Sequence, residues 1–305
     1  MVFAPGRADT HRRNPAARTR APMVTATEES LSKHDFQRLR MLILTEAGIQ
    51  LSEDKRTMLE VRIKRRLRQL GMDSYSEYCA FLLSHEGART ELVPFIDVVT
   101  TNKTDFFREP RHFDFLRECA LGEMEARAAG RTAQVWSAGC SSGEEPYTLA
   151  MVLSEYALLR PGFRFRILAT DISTQMLDRA ERAIYTEEQV APVPSVLRRK
   201  YFLRSKDRSS GRVKVAPELR KLVEFERLNF MDAEYNVCDR ADAIFCRNVL
   251  IYFNSQIQQE ILSKLCRHLV PGGYLFVGHS ESLHDMSLPV VPVAPALYRR
   301  TNAAR

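Results

Sequence analysis

No stretch of this chain approaches the ~20 consecutive apolar residues that a membrane-spanning helix requires. The N-terminus lacks an apolar segment of the kind that directs secretion. Six cysteines (Cys79, Cys119, Cys140, Cys238, Cys246 and Cys266) are scattered with no Cys-x-x-Cys pair and no histidine at ligand spacing. That pattern argues against a disulfide framework and against a zinc site, and the expectation is reduced cytoplasmic thiols with no metal. No Ser-His-Asp or Cys-His arrangement stands out for nucleophilic catalysis. What remains is a chain of 305 residues with 45% apolar content, enough for a substantial core in one large domain or two modest ones.

The charge of +7 is localised. Residues 1–27 carry five arginines and one aspartate, and residues 52–68 carry seven basic against three acidic groups, which leaves the rest of the chain at −1. The first segment, set among Ala, Pro and Thr, cannot bury apolar surface, so residues 1–31 are expected to form a disordered basic tail. Its Arg-rich, acid-poor composition is shared with transit peptides, but the apolar face of a targeting helix is missing. Initiation at Met23, just ahead of the first helical pattern, is an open alternative.

From residue 32 to about 101 the periodicity is helical. A first helix is expected over 34–47, with Phe36, Leu39, Leu42 and Ile43 on one face and Gly48 at its end. Ser52 should cap a second, with Gly71 beyond its last turn, and shorter helices are expected over 75–83 and 90–98. After residue 101 apolar runs at 133–137, 165–169, 222–225, 243–245 and 274–277 read as buried strands. Helical stretches at 145–159, 176–184 and 256–269 lie between several of them. This alternation predicts a parallel sheet covered on both faces. Two extended runs near 289–292 and 296–299 add an antiparallel edge, and 201–215 reads as an inserted hairpin.

The first strand runs into Ser137-Ala138-Gly139-Cys140-Ser141-Ser142-Gly143-Glu144-Glu145-Pro146, a small-residue turn that lets a ligand approach the backbone. Glu144 and Glu145 would repel a pyrophosphate at the helix N-terminus, but not a ligand with hydroxyls and a positive centre. Asp171, ending the second strand, is placed to accept ribose hydroxyls, or to act as a helix cap. Asn229, Arg247 and Asn248 fall where further strand ends should open into a crevice.

Four segments then make a pattern: Thr100-Thr101-Asn102-Lys103-Thr104-Asp105-Phe106-Phe107-Arg108-Glu109, the run 136–147, Phe245-Cys246-Arg247-Asn248-Val249-Leu250-Ile251-Tyr252-Phe253, and Gly278-His279-Ser280-Glu281. In this order they resemble the signatures of the CheR-type chemotaxis receptor (protein-glutamate) O-methyltransferase family. The Pro271-Gly272-Gly273 turn, which recurs in class I methyltransferases, agrees. The resemblance implies an α/β fold in which an all-helical N-terminal domain (32–101) precedes a Rossmann-like class I methyltransferase sheet domain (102–305). That sheet domain would carry a small inserted β-subdomain near 201–215.

Residue by residue, the resemblance implies S-adenosyl-L-methionine contacts from Asn102, Thr104, Arg108, Glu145, Asp171, Asn229, Phe230, Arg247 and Asn248. S-adenosyl-L-homocysteine would be the product. Arg108 and Tyr252 are implied to face the transferred methyl group and an incoming glutamate. A glutamate with pKa ~4.3 is already an anionic nucleophile at neutral pH, so no general base is required. The implied enzyme is a monomer in the cytoplasm, recruited to membrane receptor arrays without inserting in the membrane.

The second helix carries Leu59, Ile63, Leu67 and Leu70 on one stripe, and Lys55, Arg56, Arg62, Arg65 and Arg66 are read as a positive face that docks glutamate-rich receptor helices. The bland alternative is a solvated face. No aromatic platform for RNA lies beside it, and no nucleic-acid partner is expected. Whether a receptor tail is tethered through the β-subdomain is left open. The alternatives in function are a class I methyltransferase for RNA or a small molecule, or a non-catalytic S-adenosylmethionine-binding receptor-docking module. Absence of an Asn-Pro-Pro-Tyr-like sequence after the fourth strand counts against base N-methylation.

Overall fold

The computed structural model describes residues 30–237, 240–284 and 286–301. Residues 1–29 of the expected tail lie outside them. Leu31, placed in the tail by the sequence reading, is instead buried in the first core.

That core is built mainly by α1 (Lys33–Ala47), α2 (Arg56–Leu70), α3 (Tyr75–Leu82) and α5 (Leu92–Val99), with α4 (His85–Thr90) linking the last two. The Ser32 hydroxyl accepts the Asp35 N–H to start α1, and Gly48 ends it at φ 69°, the left-handed cap that glycine adopts without steric cost. Ser52 precedes a single 3₁₀ turn (Glu53–Lys55) rather than α2 itself, which follows at Arg56. Phe36, Leu39, Ile43, Leu59, Ile63, Tyr78 and Phe95 are fully enclosed. Leu70 is not: the helix ends there, and its side chain is 38% exposed.

Next come α6 (Pro110–Phe115), a π-helical turn (Leu116–Ala120) and α7 (Leu121–Ala128). Strand β1 (Ala133–Ala138), α8 (Glu144–Leu159), β2 (Phe165–Asp171) and α9 (Thr174–Arg182) open the sheet domain. Then follow β3 (Ile184–Thr186), α10 (Ser195–Tyr201), β4 (Phe202–Arg204), β5 (Arg212–Val215) and α11 (Pro217–Arg220). The chain closes with β6 (Val223–Arg227), β7 (Ala241–Cys246), α12 (Ser255–His268), β8 (Leu269–Val277), β9 (Val290–Ala294) and β10 (Leu297–Arg300). Among the described residues no helix is long and apolar enough to cross a membrane.

The main sheet runs β6-β2-β1-β7-β8-β10-β9. Its first five strands are parallel, and β10 is antiparallel to both β8 and β9. Strand β1 alternates: Val135 packs into the core on the α8 side, and Trp136 and Ala138 into the core on the α12 side. It therefore has no polar face, as a central strand covered by helices requires. The Pro271-Gly272-Gly273 segment bulges inside β8, where Ala241 pairs with Leu269 but Ala243 with Tyr274. The inserted element is larger than the expected hairpin. Ile184, expected as the last residue of a helix, instead opens β3, which pairs with β5 and gives a sheet of order β3-β5-β4. Ala183, at φ 54°, ends α9 and turns the chain into that strand.

The positive face expected on α2 is only partly a face. The Arg66 guanidinium makes a two-pronged pair with Glu91, donating from Nε at 2.7 Å and from the second nitrogen at 2.6 Å, and the Tyr78 hydroxyl donates to the same carboxylate at 2.9 Å. Glu91 is buried, so the pair ties α2 to the start of α5. Arg66→Met leaves that carboxylate without its cation and is expected to cost about 3 kcal/mol in urea unfolding. The exposed Arg65→Met should stay within about 0.5 kcal/mol. Equal losses from both would show that the Arg66 pair is merely another surface contact.

Candidate active site

Strand order reverses between β1 and β7, and a crevice opens at the C-terminal ends of β2, β1 and β7, as open α/β sheets dictate. Each wall can be traced to the backbone that makes it. At the end of β1, Gly139 (φ 88°) and Gly143 (φ 97°) bracket a turn whose first two N–H groups donate to the Thr170 carbonyl at 2.8 and 2.9 Å. A Cβ on Gly143 would lie 2.8 Å from the Tyr185 hydroxyl, so the turn closes only on glycine. Asp171 fastens it from β2: one carboxylate oxygen accepts the Ser141 N–H at 2.8 Å and the other the Ser173 N–H at 2.9 Å. Burial raises the Asp171 carboxyl above its ordinary pKa, and these N–H bonds oppose the rise.

Arg247, leaving β7, is buried. It pairs with Glu145 at 3.0 Å and Glu109 at 3.1 Å, donates to the Arg108 carbonyl, and stacks over the Phe113 ring at 5.4 Å. The other Glu145 oxygen accepts the Ser137 hydroxyl at 2.7 Å. Burial raises the Glu145 carboxyl, partly countered by Arg247. For Glu109 the balance is reversed: burial pushes up, but Asn248 and Arg247 hold the carboxyl below its ordinary range. Histidines 112 and 279 lie beside Glu109, with ligand atoms within 4.8 Å of one another. Both Glu109 oxygens are already engaged by Arg247 and by the Asn248 amide at 3.1 Å.

The 100–109 loop forms the roof. Arg62 donates to the carbonyls of Val99 and of Thr100, the latter at 3.0 Å. The Asn102 carbonyl accepts the Ser141 hydroxyl at 3.0 Å, and Arg108 reaches back to the Lys103 carbonyl at 3.0 Å. On the far side Leu228 donates to the Asp171 carbonyl at 3.0 Å, and the Asn229 amide donates to the Glu46 carbonyl of α1 at 2.6 Å. Among the described residues, four of the seven non-glycine positions with positive φ (Phe107, Glu109, Ser141 and Asn248) lie in these loops. At roughly 1–3 kcal/mol each, such strain persists only where surrounding bonds over-determine it.

The result is a cavity of about 440 Å³, within the size range of small-molecule sites. Asn102, Thr104, Arg108, Glu145, Asp171, Asn229, Phe230, Arg247, Asn248 and Tyr252, the residues singled out in the sequence, all line it. The docking set divides. Arg56 and Arg65 are exposed, Lys55 is exposed and also borders the cavity, Arg62 is turned inward to the roof, and Arg66 is held by Glu91. The solvated face read from α2 therefore excludes Arg62 and Arg66. Not anticipated were Glu109 and Glu281, visible only as motif members, or the wall formed by Ala47, Ile49, Leu51 and Met58, whose apolar spacing reads simply as core.

A doubly wound sheet with acidic groups lining the crevice at its strand reversal accepts a nucleoside bearing positive charge better than a phosphate. The Gly139–Glu145 turn, Asp171 and the buried Glu145 fit S-adenosylmethionine in these terms. The architecture is that of a class I S-adenosylmethionine-dependent methyltransferase. Two family models match, the SAM-binding domain of CheR methyltransferase over residues 102–293 and its all-alpha domain over residues 34–100, and the chain belongs to the CheR methyltransferase family.

Three relatives carry the name chemotaxis protein methyltransferase. That of Borreliella burgdorferi is 37% identical, covering 89% of this chain and 95% of its own length. Those of Salmonella typhimurium and Escherichia coli are 38% and 40% identical, covering 89% and 84% of this chain and 92% and 87% of their own.

Glu144 supplies a pH test of the turn. It is buried, accepts the Ser142 hydroxyl at 2.7 Å, and burial pushes its carboxyl up to about 7. A carboxyl raised above its unfolded value of ~4.3 contributes stability below that value and loses it as pH rises through the folded one. Glu144→Gln removes the titration. The variant should gain stability on wild type between about pH 5 and about pH 8 in urea unfolding. A constant difference across that range would contradict the assignment.

Proposed function

We propose that this chain esterifies glutamate side chains on the cytoplasmic helices of chemotaxis receptors, as a cytoplasmic enzyme that meets its substrate at membrane receptor arrays. The observation that carries the reading is the pairing of functions in one cavity. Arg108 and Tyr252 share it with the acids Glu145 and Asp171, and Lys55 and Arg62 border it on the helical side. The names of the relatives supply the chemotaxis context.

S-adenosylmethionine, when bound, supplies a methyl group on a sulfonium centre. Asn102, Thr104, Arg108, Glu145, Asp171, Asn229, Phe230, Arg247 and Asn248 would hold it. The chain's own task is then positional. A glutamate arrives ionised at neutral pH, so the site needs no base to activate it. The acids in the wall are suited to holding rather than to proton transfer, because Glu145 is engaged by Arg247 and Ser137, and Asp171 by two backbone N–H groups. Arg108 orients the acceptor carboxylate, Tyr252 hydrogen-bonds beside it, and the loops exclude water from both. Arg108 must not hold the ground-state carboxylate too firmly, since only differential binding accelerates the step.

Arg108→Ala should reduce methyl transfer to a receptor cytoplasmic fragment by about 100-fold with the fold intact, the size of effect that lost orientation produces. Transfer near the wild-type rate would remove Arg108 from the reacting centre. The exposed cations test docking separately. Arg56→Glu with Arg65→Glu should slow association with the fragment and flatten its salt dependence, because these charges steer an acidic helix over a screening length of ~8 Å. S-adenosylmethionine affinity should not change. Parallel salt curves for variant and wild type would make this surface a solvated face only.

A further inference from the structure

Gly278-His279-Ser280-Glu281 contributes no residue to the cavity wall, yet Glu281 is buried directly behind it. One Glu281 oxygen accepts the Leu250 N–H at 2.7 Å, and the other accepts the Asn248 N–H at 2.9 Å together with that of Gly278. The Glu281 N–H closes the loop on the Gly278 carbonyl at 2.9 Å. The fit is tight on the other side as well. A Cβ on Gly278 would stand 2.5 Å from the Asn248 side-chain nitrogen, 2.8 Å from the Glu281 carboxylate and 2.9 Å from the Asn248 backbone nitrogen.

Asn248 sits at φ 58°, a left-handed conformation that asparagine tolerates better than most residues but still does not prefer. Its backbone N–H is held by Glu281 and its side-chain amide by Glu109. Two carboxylates from separate segments thus grip one residue. The same turn runs on through Val249, Leu250 and Ile251 to Tyr252, whose carbonyl accepts the Gln50 N–H at 3.0 Å from the helical domain.

We propose that Glu281 is a positioning residue for methyl transfer, clamping the turn from Arg247 to Tyr252 so that Asn248 and Tyr252 stand in the cavity wall. The inference rests on the methyltransferase reading of that cavity. Glu281 acts only through backbone geometry. A carboxylate suits the task because it offers acceptors on both oxygens and no donor, matching the N–H groups that converge on it.

The test compares the full chain with Glu281→Gln and, independently, Gly278→Ala. Glutamine keeps the volume but turns an NH₂ group toward a backbone N–H, so at least one clamp bond is lost. Without cofactor, amide hydrogen exchange at Asn248 and Leu250 should become at least about tenfold faster in Glu281→Gln. Turnover, expressed per site that binds S-adenosylhomocysteine, should fall about 30-fold for each variant, somewhat less than the roughly 100-fold that a full 1 Å displacement can cost. S-adenosylmethionine affinity should change less than about threefold, because most of its wall lies elsewhere, and the double variant should be no worse than the poorer single one.

A merely structural role would lower the number of binding sites and leave turnover per site unchanged. Unchanged exchange at both amides, or wild-type turnover per site, overturns the proposal. Active wild type beside an equally active Glu281→Gln rejects the clamp alone. Failure of wild type to transfer methyl groups rejects the reading of the cavity, while the exchange experiment still judges the clamp.

Discussion

The cavity depends on one buried cation. Arg247 sits between Glu109 and Glu145, so the end of β7, the start of α8 and the 100–109 loop are all fastened to a single guanidinium. Taking three charges out of water is costly, and such a group adds little net stability compared with apolar packing. Its value lies in direction. A planar guanidinium accepts partners only at fixed angles, and an uncompensated carboxylate left behind by a shifted loop would be expensive. The loops that carry the left-handed Phe107, Glu109 and Asn248 are thereby held in shape, while Asp171 fastens the turn that carries Ser141.

Much of this was legible in the chain. Five apolar runs, several of them separated by helical periodicity, marked the parallel strands; in β1, β7 and β8 a strand buried on both faces has no polar alternation to disguise it, whereas β6, at the sheet edge, alternates a buried Val223 with an exposed Glu224. The polar residues at strand ends identified the cavity wall because crevice residues must follow immediately after buried strands. What stayed hidden were contacts made across sequence. Arg62 and Arg66 have helical spacing suited to an outer face, and nothing near them in the chain shows that Thr100 and Glu91 will cover them. Likewise β3 leaves no signature of its own, because three residues are too few to display a period, and its first residue, Ile184, continues the helical pattern of 176–184. Glu109 and Glu281 stood in recognisable motifs, but the side-chain partners of Glu109, Arg247 and Asn248, lie far along the chain, and Glu281, bound by backbone N–H groups, leaves no pattern of partner residues to find.

The helical domain emerges with two jobs. Through Ala47, Ile49, Leu51 and Met58 it supplies an apolar wall of the cavity, and through Arg62 it holds the carbonyls of Val99 and Thr100, just ahead of Asn102. The exposed cations of the same helix, Arg56 and Arg65, lie on its solvent side. One rigid helix therefore joins the surface proposed to meet the receptor with the loop that roofs the cavity. The Asn229 amide, bound to the Glu46 carbonyl at 2.6 Å, makes a second tie between the domains.

The central claim is chemical: a carboxylate, and not a base or an amine, receives the methyl group. It is tested most directly by incubating the protein with a receptor cytoplasmic fragment and methyl-labelled S-adenosylmethionine, then treating the isolated fragment with mild alkali. The account requires label on glutamate that leaves as volatile methanol, and none on a fragment whose acceptor glutamates are replaced by alanine. Label that resists alkali, or that persists on the alanine fragment, would contradict it.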